Sequence, residues 1–145
     1  MKISFVGHSR VVNHENVKML VKEQIRLNIG LDERLICYLG GYGDFDSFAY
    51  FCAKKYKALH PSARLIFITP YYPPRETALK YDDTIYPALE NVPPRFAISH
   101  RNRWMIARAD IVIAYICHKF GGAYKTLTIA KHQNKPIFNI TNYNI

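Results

Sequence analysis

At 145 residues, 49% apolar and 14% aromatic, the chain is long enough to bury the core of one domain and too apolar to be disordered. Its formal charge of +9 favours anionic partners such as nucleotides, nucleic acid or an acidic protein face. No apolar run approaches the roughly 20 residues that span a bilayer, and the opening MKISFVGHSR lacks the long apolar region of a signal peptide, so a cytoplasmic protein without a membrane partner is expected.

Apolar strands and amphipathic helices alternate along the chain. Ile3–Val6 reads as a first strand closed by Gly7-His8, and Val11–Leu27 carries Val17, Leu20, Val21 and Ile25 at close to helical spacing. Arg34–Leu39 is a second strand, followed by the glycines of Gly40-Gly41-Tyr42-Gly43. Asp44 or Asp46 is placed to cap a helix running to about Leu59. Ala63–Thr69 is a third strand. The stretch 70–94 is rich in Pro and Tyr, has no period, and reads as a long loop holding at most a short helical turn; its aromatics suit an interface with a second copy of the chain. Phe96–Arg108 is a helix, Ile111–Ile116 a fourth strand, Gly122–His132 a helix and Pro136–Ile140 a fifth strand; the tail from Thr141 yields no expectation.

This order predicts an α/β, Rossmann-like three-layer sandwich, a single domain over residues 1–145, with a mainly parallel sheet of about five strands and helices on both faces. Ligands of such sheets sit beyond the carboxyl ends of the strands. Every loop with chemical character falls there: Gly7-His8-Ser9-Arg10, Gly40 to Asp46, the Tyr71-Tyr72 loop, and Lys119 to Gly122.

Each candidate has a structural and a functional reading. The glycines Gly40, Gly41 and Gly43 match neither the dinucleotide fingerprint nor a P-loop, so they either make a tight turn or let backbone approach a ligand, with Asp44 or Asp46 accepting from a sugar hydroxyl or a base. Gly121-Gly122 opens a helix after a strand and directs N–H groups at an anion, with Lys119, Lys125 and Thr126 nearby. Arg101 and Arg103 lie two apart on a helix and therefore point in different directions, so one is expected at the ligand and the other in solvent or against an acidic partner. His8 serves as an acid/base group, a donor to phosphate or a structural residue. Asp82-Asp83 is a weak candidate for a metal or base, and Asp110 reads as structural. Cys37 and Cys117 lie within apolar strand patterns and read as buried thiols, so no metal site and no cofactor is expected.

Three segments, FVGHSR, DDTIYPALENVPPRFAISHRNRWMIARAD and GGAYKTLTIAKHQNKPIFNI, resemble the SLOG superfamily, the Rossmann-like group of Smf/DprA DNA-processing proteins and Lonely Guy phosphoribohydrolases, and are most similar to its small standalone bacterial and phage members. In the Lonely Guy enzymes an Arg lies some nine residues before an Ala-Asp pair, and the next strand leads into PGGxGTxxE. Arg101, Ala109-Asp110 and Gly121-Gly122 match that pattern. No Pro precedes Gly121, however, and the enzymes' carboxylate falls on Leu127, Thr128 or Ile129, with no acid anywhere after Asp110. The resemblance thus implies a pocket for a nucleotide or nucleotide-derived ligand without the family's cutting carboxylate: a sensor or sponge, for instance for an ADP-ribose-type signal. Two other classes compete with it. One is an N-glycosidic-bond hydrolase using Asp44, Asp46, Asp82 or Asp83. The other is a single-stranded nucleic-acid binder with Tyr42, Tyr71, Tyr72 and Tyr86 as stacking platforms.

Overall fold

A computed structural model of the chain describes residues 1–30 and 33–141, and the end of the tail lies outside them. Six strands form one sheet: β1 (Lys2–Gly7), β2 (Ile36–Leu39), β3 (Arg64–Ile68), β4 (Asp83–Ile85), β5 (Ile111–Tyr115) and β6 (Ile137–Asn139). Every strand pair is parallel, in the order β4-β3-β2-β1-β5-β6. The longest register joins the two central strands, from Ile3 opposite Ile111 to Gly7 opposite Tyr115.

Four helices cover the sheet: α1 (His14–Asn28), α2 (Gly43–Leu59), α3 (Ala97–Arg108) and α4 (Gly122–His132). The period-two alternation of β1 sorts its side chains to the two faces. Ile3 and Phe5 join Val17, Val21 and Ile25 of α1 and Phe45, Ala49 and Cys52 of α2. Val6 joins Ile106 of α3 and Leu127 and Ala130 of α4 on the opposite face. Ser4 is the polar exception in β1; fully buried, it donates its hydroxyl to the Met105 carbonyl at 2.8 Å and so ties α3 to the central strand. Among the described residues, no helix is long and apolar enough to cross a membrane.

The sixth strand is the main departure from the expected elements. The 70–94 stretch contains a 3-10 turn at Glu76–Lys80 and the three-residue β4, which pairs with β3 from Ile66–Asp83 to Ile68–Ile85. A three-residue strand is too short to show a period, and Asp83 at its start disguises it. Asp82 just before it is pinned structurally: its carboxylate accepts from the Leu65 N–H at 2.7 Å and pairs with Lys57. Those contacts hold its pKa below the usual carboxylate range against the opposing effect of burial. Asp83 accepts from the Thr84 N–H. Asp110 is structural as expected, exchanging bonds with the backbone of Lys2. Helix α1 begins at His14, three residues later than its periodicity suggests, because Val11 turns into the core and Asn13 takes a left-handed conformation at φ 56°.

Candidate ligand cavity at the carboxyl edge of the sheet

Strand order reverses at β1, which has β2 on one side and β5, reached by crossover, on the other. Beyond the carboxyl ends of these strands lies a cavity of about 470 Å³. Gly7 lines it from the end of β1 and His8 and Arg10 from the loop that follows; Gly40 from the turn after β2 and Asp46 from the start of α2; Arg101 from α3; and Gly121, Gly122 and Thr126 from the start of α4. The topology thus gathers these residues, far apart in sequence, around one space.

Four other candidates lie elsewhere. Arg103 is exposed and absent from the cavity lining, as its offset from Arg101 along the helix requires. Gly41 packs beneath Phe67, whose ring would lie 2.8 Å from an added Cβ. Gly43 has φ +85° and a Cβ position 2.7 Å from Ser9 Cα, so it exists for the close crossing of two loops. Asp44 fastens the same crossing: its carboxylate accepts from the Val11 N–H at 3.0 Å and its own N–H donates to the Ser9 carbonyl at 2.8 Å. Neither Asp44 nor Asp46 is the N-cap of α2. That position is Tyr42, whose N–H reaches back to Asp46 Oδ2 at 2.9 Å.

Arg101 is 2% exposed, and most of its guanidinium is committed to the protein. Nη1 donates to the carbonyls of Gly40 at 2.8 Å and Ile68 at 2.6 Å, and Nε donates to Asn102 Oδ1 at 2.9 Å. It joins the ends of β2 and β3 to α3, and burial lowers its pKa against the opposing charge of Asp46. Nη2 makes none of these bonds and is not a buried orphan, and Arg101 is among the residues that line the cavity. Asn102, which sequence reading passed over between two arginines, continues the chain of bonds. Its Nδ2 donates to Thr126 Oγ1 at 3.2 Å, and that hydroxyl donates to the Gly122 carbonyl at 2.9 Å. Thr126 is thus a buried link in the cavity wall whose hydroxyl proton is already given to Gly122, and the relay fixes the first turn of α4 relative to the sheet.

That first turn is open. Gly121 has φ +89°, and nothing lies within 4 Å of a Cβ built on Gly121 or Gly122. The unpaired N–H groups at the start of the 11-residue α4 therefore border free space. Lys119 and Lys125 are exposed and do not line the cavity. Arg10 does line it, and among the described residues no acid lies within ion-pair distance of its guanidinium.

Asp46 supplies the opposite charge. Gly40 makes room for it: a Cβ there would sit 3.0 Å from Asp46 Oδ2 and 3.2 Å from Arg101 Nη2. Burial pushes the Asp46 pKa up to about 6, against the pull of the Tyr42 N–H and the Arg101 charge. Only Oδ2 is engaged by Tyr42, so Oδ1 can accept from a ligand. The Tyr42 ring lies 5.5 Å from Arg101 Cζ and 5.6 Å from Arg75 Cζ.

His8 is buried beside the cavity, and its Nε2 accepts from the Cys117 N–H at 3.0 Å. Burial, with a smaller contribution from His118, lowers its pKa, and the neutral ring thus carries its proton on Nδ1. A phosphate donor at Nε2 is excluded by this bond. Cys117 itself is exposed, just past the end of β5, which corrects the expectation of a buried thiol. His8, Cys117 and His118 bring ligand atoms within 4.8 Å of one another. The two imidazoles, however, stack with centroids 3.7 Å apart and planes 15° apart, so their in-plane lone pairs do not converge on one ion. His118 stacks in turn on Phe120, which is 68% exposed at the mouth of the cavity.

No family model matches the chain, and no curated protein matches it. Among solved structures the chain is similar to DNA processing protein A from Helicobacter pylori, solved for its mode of binding single-stranded DNA. The likeness has a TM-score of 0.65 at 19% identity and covers 96% of this chain and 64% of that one. At that identity it establishes a shared fold, and this chain spans somewhat less than two thirds of its neighbour's length.

Proposed function

We propose that the cavity holds a nucleotide or nucleotide-derived ligand and does so as a sensor or sponge rather than as a hydrolase. The observation that carries this reading is the pairing, across one cavity, of an open helix start at Gly121-Gly122 with an acceptor at Asp46. The first suits phosphate and the second suits a ribose hydroxyl or a base amine. Arg10 and Arg101 Nη2 add cationic donors, and the exposed ring of Phe120 offers a stacking face. An ADP-ribose-type molecule, with two phosphates between two riboses, would use both ends. The SLOG resemblance supports the same ligand class.

The hydrolase reading is weakened by the placement of its acids. Asp44, Asp82 and Asp83 lie outside the cavity lining and are bonded elsewhere, which leaves Asp46 alone. Single-stranded nucleic acid is the second reading for this edge, favoured by the fold shared with a single-stranded DNA-binding protein. Thermal-shift titration with AMP, ADP and ADP-ribose tests the first reading, since a ligand at a hundred times its Kd stabilises by about 2.7 kcal/mol. The expected outcome is a dose-dependent rise in Tm with no release of free base.

A further inference from the structure

A second surface, on the outer side of the two helices that cover one face of the sheet, carries a pattern that the cavity does not use. Phe51 of α2 is 40% exposed, and three ammonium groups crowd its ring: Lys55 at 4.5 Å from the centroid, Lys18 at 5.0 Å and Lys22 at 5.8 Å. The charges of the same three lysines also converge on the neighbouring Cys52 thiol, opposing the rise in pKa that burial imposes on it. Beside them Lys54 and Lys80 flank the Tyr50 ring at 5.8 Å and 4.2 Å. Lys18 is partly neutralised by Glu15 at 3.4 Å. Among the described residues, Lys22, Lys54, Lys55 and Lys80 have no acid within ion-pair distance.

Like charges gathered on one ring repel, and at an exposed site the attraction of the aromatic face compensates that repulsion only in part. An external anion would relieve that repulsion. Because lysine stems are long and flexible, the ammoniums can swing outward to phosphates and free the ring they cover. An acidic peptide would satisfy the charge alone. A single-stranded nucleic acid brings a phosphate and a π face with every nucleotide, which matches cations interleaved with rings.

We propose that the lysine collar around Phe51, together with Lys54 at the adjacent Tyr50, on the outer face of α1 and α2, is a binding surface for single-stranded nucleic acid, with Phe51 stacking a base and Lys22, Lys54 and Lys55 contacting phosphates. It is separate from the cavity and stands whether or not a nucleotide binds there.

The test measures fluorescence anisotropy of a labelled oligothymidylate with the full chain across a salt series. The variant Lys22→Ala/Lys54→Ala/Lys55→Ala is expected to flatten the log–log salt slope by about 2, from three phosphate contacts at about 0.7 each on a single strand. Phe51→Ala and Phe51→Leu should each bind about tenfold more weakly, whereas Phe51→Trp should retain wild-type affinity. These positions are exposed, and circular dichroism verifies that each variant is folded. An unchanged salt slope in the triple variant overturns the proposal, as does undiminished binding by a folded Phe51→Leu. Equal affinity for polyglutamate of matched charge overturns the nucleic-acid assignment in favour of an acidic protein.

Discussion

With Nη1 held between the carbonyls of Gly40 and Ile68, Arg101 is a strut first and a ligand group only through Nη2. Its partners lie 61 and 33 residues away in sequence, which is why spacing alone could mark it as special and yet not say for what. Arg101→Ala, at a 2%-exposed position, takes the guanidinium donor from two backbone carbonyls and from Asn102 Oδ1 and should cost about 3 kcal/mol, lowering Tm by roughly 10 °C. Arg101→Lys should not restore it, because an ammonium lacks the planar fork. Asp46 is the acceptor on which the proposed site relies. Its pKa of about 6 means that the carboxylate needed to accept from a ligand forms only as pH rises through that value. Affinity for ADP-ribose, whose phosphates do not titrate there, should therefore climb across about pH 6 in calorimetry, and Asp46→Asn should remove the climb. The sign for stability is opposite. The folded chain holds this proton more tightly than the unfolded chain at 3.8, so the stabilising contribution is present at low pH and is lost as pH passes through about 6. Asp46→Asn should accordingly raise Tm relative to wild type more at neutral pH than below 3.8.

Loops of similar composition do different work at the scale of elements. GGYG after β2 reads equally as a tight turn or as ligand-approach glycines, and GG at the start of α4 as an anion site, because a one-dimensional pattern cannot show what faces a missing Cβ. The structure separates them. Gly43→Ala forces a Cβ to within 2.7 Å of Ser9 Cα at φ +85° and should destabilise by more than 2 kcal/mol in urea unfolding. Gly122→Ala meets nothing within 4 Å, stands at the first position of α4, and should leave stability unchanged or slightly raised. Helix α4 was legible to its end residues, since a Gly pair, an apolar stripe and a basic last turn agree on its limits. Strand β4 was not, because three residues define no period and its pairing with β3 is a tertiary fact. The relay from Arg101 through Asn102 to Thr126 and Gly122 was equally hidden; Arg101, Thr126 and Gly122 stand out singly, but Asn102 does not, and only the packing of α3 on α4 joins them.

For the whole molecule, the alternation of buried strands and amphipathic helices was enough to name the sandwich, while strand order had to come from the structure. That order matters, because the reversal at β1 sets the loops after β1, β2 and β5 around one cavity. Net charge was legible and its meaning was not: +9 spread along the sequence becomes a concentrated collar only where α1 meets α2. In the proposed site a ligand phosphate rests on the open start of α4, and Gly122→Ala tests this because Gly122 lines the cavity and the added methyl meets no protein atom within 4 Å. The decisive measurement is the Tm of wild type and Gly122→Ala with and without saturating ADP-ribose. Without ligand the variant's Tm is expected to equal or slightly exceed that of wild type; with ADP-ribose a clear rise is expected for wild type and a rise at least halved for the variant. No rise with wild type, or an equal rise in both, would contradict the proposed site.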